Sequence, residues 1–160
     1  MKSKPFEVTI DGMYIIILPE TIVLPFIEKG HSRPQFKASH ASNEILFHGA
    51  LRKRNDHYLL MFSKAKQQEL KLEKGEPFTL QLFEDTTEYG VIPPEELEEV
   101  LNSDPFAFEI FKKLTDGKKR SIIYYIKRIK NSQTRIDKSL IITENLKRGI
   151  TELKELYKLE

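Results

Sequence analysis

Arg120, Tyr124 and Arg128 recur every four residues, so on a helix they stack along one face. Lys127 lies beside them, and Ile122, Ile126 and Ile129 fall on the opposite side. Guanidinium groups around a tyrosine can pair with phosphates and let a base stack between them, or can meet an acidic protein patch. Lys119, Lys130, Thr134, Arg135 and Lys138 extend this stretch and complete a candidate set for binding a nucleic acid or an acidic partner. The same cations have an internal alternative. Ten carboxylates between Glu84 and Asp116 meet only Lys112 and Lys113, whereas ten cations between Gly117 and Arg148 meet only Asp137 and Glu144. An acidic block followed by a basic one of equal size can pair within the chain or leave a basic face for a partner.

Other chemistries find less support. Ser63-Lys64-Ala65-Lys66 has the Ser-x-x-Lys spacing of serine acyl-enzymes, in which the lysine takes the serine proton one helical turn away. The companion Ser-Asp-Asn and Lys-Thr-Gly elements are missing, and a helix cap followed by solvated lysines accounts for the same residues. The four histidines, His31, His40, His48 and His57, form no i, i+4 pair with an accompanying carboxylate, so no metal site is assigned. Glu95 to Glu99 crowd the start of a helix, where carboxylates favour the positive end of the dipole by ~0.3–1 kcal/mol each. The glycines stand singly, which leaves no phosphate-cradling loop. No catalytic residue and no cofactor is assigned. Were the protein an enzyme or small-ligand binder instead, His40, His48 and Tyr58 would supply the polar groups of a pocket in the β-rich half or between the halves.

The elements that must position these residues change character near the middle of the chain. Phe6 to Ile10 alternates as a half-buried strand, Asp11-Gly12 suits a hairpin turn, and Met13 to Leu18 reads as the return strand. Pro19-Glu20-Thr21 opens a helix to about Lys29 that contains Pro25 and ends at Gly30. Strands are predicted over Gln35–Ser39, Ile45–Leu51, Tyr58–Phe62 and Phe78–Phe83, with turns at Ser42-Asn43 and Asn55-Asp56 and a helix capped by Ser63. Several short strands with small helices between them predict a compact β-barrel or a strongly curved sheet.

Beyond a polar linker holding Gly90 and Pro93-Pro94, every segment has helical period. One helix starts at Pro94 and buries Leu97, Val100 and Leu101; a second starts at Asp104-Pro105 and is stopped by Asp116-Gly117. A third, about Lys118 to Lys130, buries Ile122, Tyr125, Ile126 and Ile129. A fourth, about Ser132 to Arg148, carries Ile136, Leu140 and Leu146 and is capped by Gly149. Ile150, Leu153 and Tyr157 mark a final helix that docks weakly. The fold class is therefore α+β, with a β-barrel-like module over residues 1–86, a linker at 87–93 and a helical module over 94–160.

At 160 residues the chain can bury a core without staples, and it has no cysteine to build a disulfide or a thiolate zinc site. The longest apolar run, Met13 to Leu18, is far short of the ~20 residues a membrane helix needs. Glu7, Thr9 and Asp11 interrupt the run that a signal peptide would require. A cytoplasmic protein without membrane insertion is expected.

Two stretches also resemble known families. Pro94-Glu-Glu-Leu97, Val100-Leu101, Asp104-Pro105, Phe111, Gly117-Lys-Lys-Arg120, Tyr125-Ile126, Lys130, Thr134-Arg135 and Lys138 resemble the YdeI/OmpD-associated family, named for a proposed link to bacteriocin protection. Phe6, Leu18-Pro19, Phe47 to Leu51, Lys64 to Lys71 and Gly75-Glu-Pro-Phe78 resemble the β-rich domain of unknown function numbered 1905, which often precedes it. Tyr125 stands where the first family usually has tryptophan, Ile129 where alanine is usual, and Lys138 where arginine is usual. Together the resemblances run from about Phe6 to Gly149. They imply a small β-barrel with a helical tail in a bacterial protein, and no agreed activity, catalytic residue or cofactor. The expected function is a non-enzymatic binding or stress-protection protein that uses its basic helical face.

Overall fold

The computed structural model describes residues 1–159, and the chain divides into two compact units, Met1–Thr86 and Thr87–Glu160. The first unit contains β1 (Phe6–Val8), β2 (Ile15–Leu18), α1 (Glu20–Glu28), β3 (Gln35–His40), β4 (Asn43–His48), β5 (Arg52–Arg54), β6 (His57–Met61), α2 (Lys64–Glu69) and β7 (Phe78–Phe83). These strands form two antiparallel sheets, ordered β1-β7-β3-β4 and β2-β6-β5. Alternation along each strand sends one face inward: Phe36 and Ala38 from β3, Phe78, Leu80 and Leu82 from β7, Ile16 and Leu18 from β2, Tyr58 and Leu60 from β6. With Val23 and Phe26 of α1 and with Phe62, these side chains make one core, each large one worth roughly 1.5–3 kcal/mol of burial. Gly30, at φ 81°, ends α1 in the left-handed region that glycine tolerates.

Two sequence expectations are corrected here. Asp11-Gly12 does reverse the chain, with Asp11 N donating to Ile15 O at 2.6 Å, but β1 and β2 do not form a hairpin. β1 pairs with β7, Phe6 opposite Leu80, while β2 pairs with β6, Ile16 opposite Leu60. A tight turn fixes only the local reversal; the partner goes to the strand whose buried face matches. The sheets also remain open rather than closing into a barrel, since among the described residues no ladder joins them. After β4 the chain stays beside residues 32–34, Gly49 N reaching Pro34 O and Leu51 N reaching Ser32 O, and then crosses to the second sheet as β5. β5 falls outside the strands expected from the sequence, because three consecutive exposed cations carry no alternation.

The second unit is helical: α3 (Glu95–Ser103), α4 (Pro105–Lys113), α5 (Asp116–Lys127), α6 (Ser132–Lys147) and α7 (Leu153–Leu156). Its core gathers Leu97, Leu101, Phe111, Ile122, Ile123, Ile126, Ile142, Leu146 and Leu156. Asp104 caps α4, its Oδ1 accepting from Ala107 N at 3.1 Å, with Pro105 in the first turn. Asp116-Gly117 opens α5 rather than stopping α4. The preceding Thr115 is extended, and its Oγ1 accepts from Lys118 N at 3.3 Å, which starts a new helix there. On α5 the buried residues are Ile122, Ile123 and Ile126, with Tyr125 and Ile129 at the margin. On α6 the buried side is Ser139, Ile142, Thr143, Asn145 and Leu146, and Leu140 turns out to solvent at 48% exposure. In α7 Leu156 is fully buried, and the following Tyr157 ring stacks on Tyr125 at 3.8 Å.

Candidate functional site

Lys127, Arg128, Lys130 and Arg135 lie at the corner between α5 and α6, which two caps define. Arg128 closes α5, and Asn131 opens α6 by accepting from Thr134 N at 3.0 Å and from Thr134 Oγ1 at 3.3 Å. Lys127, Arg128 and Lys130 lie exposed at this C-terminal end of α5, where cations also favour the negative end of the helix dipole. Among the described residues none of the three forms an ion pair with a carboxylate.

Arg135 has a different occupation. Its Nε donates to Ile129 O at 2.6 Å, its Nη2 to Lys127 O at 3.2 Å and its Nη1 to Glu96 Oε1 at 3.2 Å. One guanidinium thus satisfies two carbonyls at the end of α5 and ties the corner to α3, a use suited to its fork of donors. Thr134 is spent on the α6 cap. Lys119 lies 3.8 Å from Asp116 with a largely covered side chain, and Arg120 and Lys138 are half-buried. Tyr124 packs against the helical core instead of standing free between Arg120 and Arg128. Burial raises the Tyr157 pKa, the neighbouring Tyr125 adds to this, and the charge of Arg128 opposes it.

Part of the basic block answers the acidic one. Besides Arg135 with Glu96, Lys147 Nζ lies 2.8 Å from Asp104 Oδ2 and 2.7 Å from Glu144 Oε1. The hydrogen bond from Lys147, then that from Ala107 N, lowers the Asp104 pKa, and the Asp104 and Glu144 bonds raise that of Lys147.

In the first unit, the three polar residues of the alternative pocket are dispersed. His40 and His48 stand at opposite ends of the β3–β4 ladder, His40 opposite Asn43 and His48 opposite Gln35. His40 Nδ1 is 3.0 Å from Leu70 O and its Nε2 faces Glu76 Oε2; His48 Nε2 is 3.1 Å from Asp85 Oδ1. Tyr58 belongs to the other sheet, is buried, and has Lys53 Nζ 5.6 Å from its ring centre. Ser63 caps α2 by accepting from Lys66 N, while Lys66 Nζ lies 5.1 Å over the Phe47 ring. Burial there lowers the Lys66 pKa, and Arg33 adds to the effect against Glu69. Among the described residues no group of three histidine or acidic side chains could hold a metal ion, and no helix is long and apolar enough to cross a membrane.

A second basic surface escaped the sequence reading. Arg52, Lys53 and Arg54 of β5 border a shallow cleft of about 380 Å³ with Ile15, Leu59 and Met61. Three adjacent cations were its only signal.

Residues 91–149 match the model of a family described as Bacteriocin-protection, YdeI or OmpD-Associated. No curated protein matches the chain. Among solved structures, the solution structure of PHS018 from Pyrococcus horikoshii is similar at 16% identity, covering 50% of this chain and 88% of that chain with a TM-score of 0.40. A likeness of that size carries no argument about fold or activity.

Proposed function

We propose that this protein, with a YdeI/OmpD-associated segment over residues 91–149, is a non-enzymatic binding protein of the cytoplasm that engages a polyanion or an acidic partner at the α5–α6 corner. The observation that supports the reading is a division of labour among the cations. Arg135 and Lys147 are paired with the upstream acidic helices, whereas Lys127, Arg128 and Lys130 are exposed on one corner without a carboxylate among the described residues. Three clustered cations give a surface whose affinity for phosphates comes from counterion release. Arg120 and Lys138, both half-buried, lie farther along α5 and α6 and would extend it; Tyr124, Thr134 and Arg135 hold the corner in shape. A protective role against stress or bacteriocins follows from the family description alone and is part of this proposal.

The test is fluorescence anisotropy with labelled duplex DNA, single-stranded RNA and polyglutamate, at low and near-physiological salt. Binding that weakens steeply with salt is expected. In a variant carrying Arg128→Glu and Lys130→Glu the salt slope should fall by about one for each phosphate contact removed. Undiminished binding by that variant, or none by the native protein at low salt, overturns the reading.

A further inference from the structure

The second unit holds a partly open cavity of about 220 Å³ whose walls are unlike the basic corner. Tyr89, Phe108 and Phe111 supply three aromatic rings, Glu88 and Glu98 two carboxylates and Asn102 an amide; no lysine, arginine or histidine lines it. Phe111 meets both other rings edge-on, Tyr89 at 5.7 Å and Phe108 at 6.5 Å between centres, so the three rings form one cluster along the cavity wall. One ring already accepts a cation, since Lys112 Nζ lies 4.4 Å from the centre of Phe108. Burial chiefly raises the Tyr89 pKa, with the charge of Glu88, a hydrogen bond to it and the charge of Glu98 adding in that order.

We propose that this cavity is a binding site for a small organic cation, an alkylguanidinium or alkylammonium group held over aromatic faces and neutralised by Glu88 and Glu98. Aromatic faces attract a cation that is partly stripped of water, and the carboxylates take its N–H donors. The volume suits a charged head group with a short stem, below the size of drug-like pockets. The loop carrying Glu88 and Tyr89, which the sequence presents as a linker, thereby becomes one wall of a site completed by α3 and α4.

Butylguanidinium is to be titrated into the full-length protein and followed by amide chemical shifts, beside butylurea, its neutral isostere. Shifts confined to residues around Tyr89, Glu98 and Phe111 are expected, with butylurea about tenfold weaker, the size of one partly desolvated cation–π contact. Glu98→Gln, an exposed change that leaves the core alone, should weaken the cation about two- to fivefold and leave butylurea unaffected. A short arginine peptide that binds the same residues more tightly would place the cation on a protein side chain; weaker binding would point to a free small molecule. Equal affinity for butylurea and butylguanidinium, or no shift around the cavity, overturns the proposal.

Discussion

Arg135 and Glu96 are joined by a 3.2 Å hydrogen bond between side chains that are both mostly covered, at 27% and 15% exposure. Removing the guanidinium would leave Glu96 and two carbonyls at the end of α5 without their donor. Arg135→Ala should therefore destabilise the helical unit by about 1–3 kcal/mol. Arg135→Lys should recover only a part, because an ammonium cannot reach all three acceptors in one plane. Urea unfolding followed by helical circular dichroism measures both. An alanine variant as stable as the native chain would show that solvent replaces the pair at no cost.

A second pair sets a pH dependence. Asp104 has its pKa depressed by Lys147 and by Ala107 N, so its contribution to stability is complete above the unfolded value of 3.8. It is lost as pH falls through the lower folded value. Lys147 is shifted the other way, so its contribution is complete below 10.5 and is lost as pH rises through the higher folded value. Stability of the second unit should be level between these limits and decline outside them. In Asp104→Ala the acid decline should shrink, because the group that titrates there is gone. Melting temperature against pH reads this directly.

How much of this was legible in the sequence differs between the units. Caps at Ser63 and Asp104, the glycine stop at Gly30 and the strand at Phe78–Phe83 rest on local chemistry and appear where local chemistry puts them. Partner choice among strands is not local, and the Asp11-Gly12 turn could not reveal that β1 would join β7. On α6 the buried face is half polar. Ser139 and Thr143 bond to carbonyls of their own helix, Arg135 O and Leu140 O, so they enter the core without unmet donors. A reading that seeks apolar period alone then favours Leu140, which faces out. At the candidate site the cations were legible as a block, but their assignment was not. Whether Arg135 served a ligand or a helix end depended on where Glu96 and the α5 carbonyls came to lie.

Gly49 follows β4 at the crossing between the sheets, and a Cβ there would strike Leu60 Cδ1 and stand 3.2 Å from the Phe36 ring. Both neighbours are fully buried and cannot move aside into solvent. Gly49→Ala should cost about 1–3 kcal/mol, as overpacking of a filled core does. The loss should appear in amide exchange of β3 and β6. Unchanged protection there would mean that the crossing strand shifts to make room.

The last helix depends on one buried amide. Asn145 Nδ2 donates to Leu156 O and to Lys158 O, each at 2.9 Å, and lies within 3.4 Å of Glu155 O. These carbonyls end α7, a helix too short to persist alone. Asn145→Leu keeps the bulk but removes the donors, leaving the carbonyls to water or unsatisfied. The cost should be about 1–3 kcal/mol and confined to α7. Tyr157 should lose its stack on Tyr125, so the variant predicts fast amide exchange from Leu153 onward and an altered Tyr125 ring resonance. Retained protection of Leu156 would show that its burial alone holds the helix, and that the amide only sets its register.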